Sequence, residues 1–322
     1  MNSSTLVISL DFELFWGMQD CSTLEKYENN VIGGRHAIPL LLELFEKYKI
    51  HATWATVGFM FAEDYDDLKK YFPNDSLKPH YKNVNLSTYR CFQNIGKNET
   101  EEPCFYGKSL IEKISEVKYQ EIGCHTFSHF YCREEGQSIE EFEADIKAAV
   151  NIAKNQGYEL KSLVLPRNQC SKEYIQVIKK YGFLTYRDEE NDWIHKNIKN
   201  RLFLRALRLL DVYLPLTGQG GYIPKNEDGV WNLIGSRMYK PYFKPLKFLE
   251  NLKIHRIKKQ MLHAAKNGLV FHLWWHPHNI GIMTDYHLKQ LKEILDYYVI
   301  LNKKYHMKSL NMKEIAEVLE EN

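Results

Sequence analysis

Along the chain, short apolar runs rich in β-branched and aromatic residues alternate with longer stretches whose apolar positions recur at helical spacing. Residues 5–10 make the first strand-like run, 37–48 (AIPLLLELFEKY) an amphipathic helix and 52–59 (ATWATVGF) a second strand. A strand leading into Gly123 follows, then a helix from Ser138, which with Glu141 supplies the S-x-x-E pattern of a capping box. Residues 162–165 read as a strand, 172–181 as a helix and 183–186 as a strand. The alternation resumes with a strand over 269–275 (LVFHLWW), a long helix over 285–304, a short strand near Leu310 and a last helix after Asn311. Repetition of this kind predicts an α/β fold with a parallel sheet, most simply closed into a barrel.

Two segments interrupt the repeat without dividing the chain, so a single domain with two insertions is expected. Residues 72–103 are polar, Asn-rich and punctuated by Pro, as in an ordered loop or lid. Residues 196–259 carry fourteen Lys and Arg against four Asp and Glu, although the whole chain of 322 residues has a formal charge of only +2. The basic character is therefore local, which argues against a surface built for nucleic acid. Arg201, Arg205 and Arg208 recur among leucines and Phe203, and Lys240, Lys244 and Lys247 lie among Tyr239, Tyr242, Phe243 and Phe248. That is the pattern of a patch for an anionic membrane surface, of a helix with a solvated basic face, or of a groove for an anionic sugar or nucleotide diphosphate.

A hydrophobic content of 44% suffices for a large core, and no apolar run is long enough for a spanning helix. The first residues, MNSSTLVISLDFELFWG, lack a basic leader, so a cytoplasmic protein is expected, with peripheral contact at the inner membrane face left open. Six cysteines without a C-x-x-C pair read as reduced and structural.

Gly123 to His129 (GCHTFSH) places two histidines four apart. On a strand they would stand roughly 13 Å apart, whereas on one helical turn their Cβ atoms lie about 5–6 Å apart and can share one ion. Solvated or core histidines, or a closed site with Cys124 and Cys132, are the competing readings. Asp11 and Glu13 project to one face at the end of the first strand, where one carboxylate can hold a metal and the other act as a base; capping the next segment is the plainer alternative. Leu165-Pro166-Arg167-Asn168-Gln169 and the run His272 to Asn279 end strands at the same mouth. His276, just before Pro277, is the placed acid–base candidate; His272 reads as a core histidine and His278 as a spare ligand or surface group.

The order of these motifs resembles the polysaccharide deacetylase (NodB-homology, carbohydrate esterase) superfamily over residues 6–279. The resemblance implies a distorted (β/α)7 barrel and metal-dependent removal of acyl groups from sugars. Carried onto this sequence, it makes Asp11 the catalytic base, Arg167 the arginine that positions it and His276 the catalytic acid. Glu13, His125 and His129 become the ligands of a divalent metal, zinc by preference, because S-L-D-F-E stands where the family has T-F-D-D-G. The stretch 187–193 resembles the family's aromatic-acid motif, with Trp193 walling the sugar groove; Trp16, Trp275, Asn168 and His278 complete the expected substrate contacts. The variants PRNQ and HLWWHPHN resemble the intracellular branch associated with surface-glycan biosynthesis. The implied reaction is N-deacetylation of a nucleotide-linked or lipid-linked saccharide. A hydrolase or deformylase of smaller amides and a non-catalytic glycan-binding protein are the alternatives.

Overall fold

The computed structural model describes residues 4–93, 95–188 and 201–321. Strand β1 (Thr5–Phe12) is buried along its whole length, as expected of a parallel strand covered on both faces. Helix α1 spans Leu24–Tyr48 and buries Val31, Gly34, Ala37, Ile38, Leu41, Leu42 and Phe45, a stripe of three- and four-residue steps. It begins thirteen residues before the predicted apolar stretch, because its first three turns are polar and rest on a loop rather than on the sheet. Two glycines make that approach possible: a Cβ on Gly33 would lie 2.1 Å from the Gly281 carbonyl oxygen, and one on Gly34 2.7 Å from His278 Cα.

Strand β2 is Ala52–Thr56, helix α2 Lys108–Glu116, and strand β3 Gln120–Cys124. Helix α3 (Ile139–Asn155) carries the predicted capping box of Ser138 and Glu141. Strand β4 (Ser162–Val164), helix α4 (Lys172–Lys180) and strand β5 (Thr185–Arg187) follow, then helix α5 (Arg201–Tyr213) and strands β6 (Lys225–Glu227), β7 (Val230–Asn232) and β8 (Arg237–Met238). Helix α6 (Glu250–Asn267), strand β9 (Val270–Trp275), helix α7 (Thr284–Tyr305), strand β10 (Lys308–Ser309) and helix α8 (Met312–Glu320) complete the described chain. A second capping box, Asn311 with Glu314, opens α8.

The sheet order is β6-β7-β5-β4-β3-β2-β1-β9-β8, with β10 against the start of β1. Every pairing from β7 through to β8 is parallel, and among the described strands the β6–β7 hairpin is the antiparallel pair. The end pieces β7 and β8 belong to one run of chain: Leu233 N donates to Tyr186 O on the β5 side, and Ser236 N to His272 O on the β9 side. Counted as one divided strand, they bring the parallel set to seven, the number in the expected (β/α)7 arrangement. The segment 196–259 is therefore only partly an insertion, because it supplies this strand. Its helix α5 is fastened through buried Asp211, which accepts from Arg237 (2.7 Å), Arg256 (2.8 Å) and Thr217.

The segment 72–103 packs rather than hangs. Phe72, Tyr89 and Phe92 close on Phe59, with ring centroids 5.1 to 6.0 Å away. The Thr88 hydroxyl donates to Ser128 O at 2.7 Å, which ties this segment to the loop after β3.

Candidate metal centre and active site

The C-terminal ends of the strands surround a cavity of about 180 Å³. Asp11 and Glu13 enter it together from the end of β1, both almost fully buried. The backbone turns sharply after Glu13, with Leu14 at φ 48°. Gly17 passes so close that a Cβ there would stand 2.1 Å from the Glu13 carboxyl carbon.

His125 and His129 come from the loop after β3, not from a helical turn. Thr126 (φ 62°) and His129 (φ 58°) take left-handed conformations, and the resulting fold-back brings the two rings to 5.0 Å between centroids. Asp145 on α3 enforces it: one carboxylate oxygen accepts from Phe127 N at 2.7 Å, and the other from Ser128 N at 3.1 Å and from the Ser128 hydroxyl. Burial pushes the Asp145 carboxyl up to about 6 despite these donors. No sequence motif singled out this residue; it sits on the buried face of an ordinary amphipathic helix.

The Nε2 atoms of His125 and His129 lie 3.1 and 3.0 Å from one oxygen of Glu13, and the donor atoms of all three side chains fall within 4.8 Å of one another. His125 Nδ1 is 2.8 Å from Val164 O, which can only accept, so that nitrogen carries a proton. In the neutral ring Nε2 then turns a lone pair toward the lone pairs of the carboxylate. A cation converts that repulsion into shared coordination, so the donor set fits a divalent metal, and two imidazoles with one carboxylate suit zinc. Burial works against the Glu13 charge, yet neighbouring His276 and the contacts with His125 and His129 hold its carboxyl well below the ordinary value. Burial drives the Cys124 and Cys132 thiols upward, and no cysteine joins the metal-ligand cluster among the described residues, so the closed thiolate site is not formed.

Asp11 is held by Arg187 and not by Arg167. Both guanidinium arms of Arg187 reach the carboxylate, at 2.7 and 2.6 Å, while its Nε donates to Asn168 Oδ1 at 2.8 Å and one arm also to the Ser9 hydroxyl at 2.8 Å. Burial would raise the Asp11 carboxyl; the Arg187 charge, with His276 nearby, reverses this and holds it below the ordinary carboxylate value. Arg187 lies in the stretch read as the aromatic-acid motif, but its role at the base was missed. Arg167 instead lies over the Tyr131 ring at 4.2 Å and pairs with Asp20 (2.5 Å) and Glu134 (2.6 Å) at the cavity edge. The strand end that reaches across to β1 is that of β5.

His276 lines the cavity with Nε2 3.6 Å from both Asp11 and Glu13, and its Nδ1 lies 3.0 Å from the Asn279 amide. Asn168 lines it too, chiefly as the prop of Arg187. His278 is buried beside His276, their rings stacked at 5.1 Å, and does not line the cavity; it supports His276 rather than meeting a substrate. Trp16 and Trp275 are fully buried: Trp16 packs among Phe59, Phe92 and Phe105, and Trp275 against Phe45 and Tyr239. They are core residues, and the tryptophan on the cavity wall is Trp274, whose ring lies 4.2 Å from the Arg187 guanidinium. Trp193 lies outside the described residues. His272 is a core histidine, hydrogen-bonded to Ser9 at 2.7 Å.

Residues 31–186 match the family model described as polysaccharide deacetylase. No curated protein sequence matches the chain. Among solved structures, a protein assigned as a polysaccharide deacetylase from Mycobacterium smegmatis is 12% identical over 99% of this chain and 91% of its own, with a TM-score of 0.62. One similarly assigned, from Pseudomonas aeruginosa PAO1, is 11% identical over 97% of this chain and 89% of its own, with a TM-score of 0.55. The allantoinase Puue is 11% identical over the same shares, with a TM-score of 0.56. At such identities these structures speak for the fold.

Proposed function

We propose that this chain, a member of the polysaccharide deacetylase family and so a hydrolase of carbon–nitrogen amide bonds, is a metal-dependent enzyme that removes the acetyl group from an N-acetylated sugar. The observation that carries the proposal is the convergence of Glu13, His125 and His129 on one point beside an Arg-bound Asp11. A divalent ion held by those three ligands, zinc by their chemistry, supplies Lewis acidity toward the acyl carbonyl and toward a water.

The chain's own groups do the rest. Asp11, kept anionic by Arg187, takes the proton from the attacking water, and the two-armed hold fixes the direction of its oxygens. As the carbon–nitrogen bond breaks, His276 gives a proton from Nε2 to the departing nitrogen, which leaves as an amine while the acyl group leaves as acetate. Asn279, beside His276 Nδ1, sets the orientation of that ring. Trp274 offers a flat wall for a sugar face.

The finer reading is a cytoplasmic step in surface-polysaccharide assembly, acting on a nucleotide-linked or lipid-linked saccharide. Its support is the resemblance of the D-x-E, PRNQ and HLWWHPHN variants to the branch associated with surface-glycan biosynthesis. A cavity of about 180 Å³ is smaller than most ligand pockets, which also favours a second reading, hydrolysis of a formyl or other small amide. Acetate and formate release from a panel of nucleotide-linked and lipid-linked acylamino sugars, together with elemental analysis, tests both. Metal-bound protein that releases neither acid from any member of the panel would remove the first.

A further inference from the structure

We propose that the face beside the cavity docks on an anionic lipid surface. In a parallel β/α arrangement the connections after the strands share one side, so the β8–α6 segment (239–249) and the β9–α7 segment (276–283) both lie on the side of the cavity. The first segment packs on the opening turn of α7, into which the second runs: the Tyr242 and Tyr286 rings are 5.2 Å apart and Tyr242 N donates to His287 Nε2 at 3.3 Å, while the Tyr286 hydroxyl donates to Glu250 at the start of α6 at 3.3 Å. Together with the start of α6 they expose Phe243, Phe248, Leu252, Ile282 and Met283, with Phe248 72% accessible. Large apolar groups gathered on one side of a protein mark a contact surface rather than chance exposure.

The charge beside these residues identifies the partner. Lys244 and Lys247 lie between the exposed Phe243 and Phe248, and neither has an acidic partner among the described residues. Of the four acids in 196–259, Asp211 and Glu250 are buried in ion pairs with Arg237, Arg256 and Lys253. Asp285 is the exposed acid at the start of α7. Aromatic rings interleaved with free lysines fit an interface where apolar groups enter the acyl boundary and ammonium groups meet phosphates. A protein partner of ordinary composition offers no such uniform negative charge. No described helix is long and apolar enough to cross a membrane, so the contact is peripheral. His276 belongs to the second of the two segments, so docking presents the cavity to whatever the surface carries.

Flotation of the full chain with vesicles of phosphatidylcholine, with and without one-third phosphatidylglycerol, tests the proposal independently of the reaction. The protein should float with the anionic vesicles and stay behind with the neutral ones. Phe243→Ser with Phe248→Ser should lower the bound fraction about tenfold, and Lys244→Gln with Lys247→Gln should erase the preference for anionic lipid. Both variants should keep the wild-type melting temperature and metal content, because the altered side chains are exposed. No flotation of the wild type, or unchanged binding by the double serine variant, overturns the proposal. So does a dimer in sedimentation velocity that the serine variant abolishes without any lipid binding, which would make the patch a contact between two copies of the chain.

Discussion

Arg187 grips Asp11 from the far side of the sheet. The arginine ends β5 and the aspartate ends β1, with β2, β3 and β4 between them in strand order, yet both guanidinium arms lie within 2.7 Å of the carboxylate. The pair is almost wholly buried, so each charge depends on the other. Arg187→Met should therefore cost turnover by about a hundredfold or more and lower the melting temperature, whereas Arg167→Ala should keep kcat within about tenfold. Steady-state kinetics beside thermal unfolding separates the two arginines, and equal losses of kcat would return the positioning role to Arg167.

Asp11→Asn keeps the shape of the base and removes its charge. The variant should retain metal, since Glu13, His125 and His129 are untouched, and lose turnover by about a hundredfold or more. Full activity in Asp11→Asn, measured as acetate release, would eliminate this carboxylate as the base.

The loop that carries both histidines depends on Asp145. Asp145→Ala leaves Phe127 N and Ser128 N without their acceptor and frees the left-handed residues Thr126 and His129 to relax. Metal affinity should fall about 10- to 100-fold, the usual scale for loss of a group that orients ligands. Titration with a competing chelator reads this directly.

Gly17 tests the metal centre without touching a ligand. Its φ lies outside the left-handed region, so alanine suits the backbone, but the new Cβ would overlap the Glu13 carboxyl group. Gly17→Ala should fold with a melting temperature close to wild type and bind far less metal by elemental analysis. Stoichiometric metal in that variant would show that Glu13 can ligate from another position.

Two buried histidines set an acid limit on stability. Burial lowers His272 to about 3 and His287 to about 4. Both folded values lie below the unfolded value near 6.5, so the native state binds fewer protons; their contribution is complete above about pH 6.5 and is lost as pH falls toward 4 and 3. The geometry at His287 gives a reason: Nε2 already accepts from Tyr242 N, and a proton there would face a donor. Urea unfolding at pH 7.5 and 5 should show a loss of about 1.4 kcal/mol per pH unit for each histidine within that window, and His287→Gln should make the dependence shallower.

What local chemistry controls was legible beforehand. The buried strands, the capping box at Ser138 and the final helix after Asn311 follow from short-range patterning, and the structure places them within a few residues of expectation. The nearness of His125 and His129 was also legible, but not its cause, since the turn is imposed from α3 by Asp145. Arg167 and Arg187 both end strands at the same mouth, and spacing along a chain does not say which one crosses to β1. The aromatic count likewise cannot separate Trp274 on the cavity wall from its neighbour Trp275 in the core: successive residues of a strand face opposite ways, and the sequence leaves open which way is inward.

The divided strand β7–β8 has a bearing on how this protein tolerates change. Four linking residues, 233–236, are the seam at which the two flanks of the sheet meet, and their amides are committed on both sides, Leu233 toward β5 and Ser236 toward β9. One flank delivers Arg187 and the other delivers His276, so a proline or an added residue at this joint would loosen the registry between the arginine and the histidine without altering either. Remodelling of the basic segment is accordingly best borne on either side of the joint, in α5 or between β8 and α6, where surface properties can drift while the spacing of the reactive groups stays fixed.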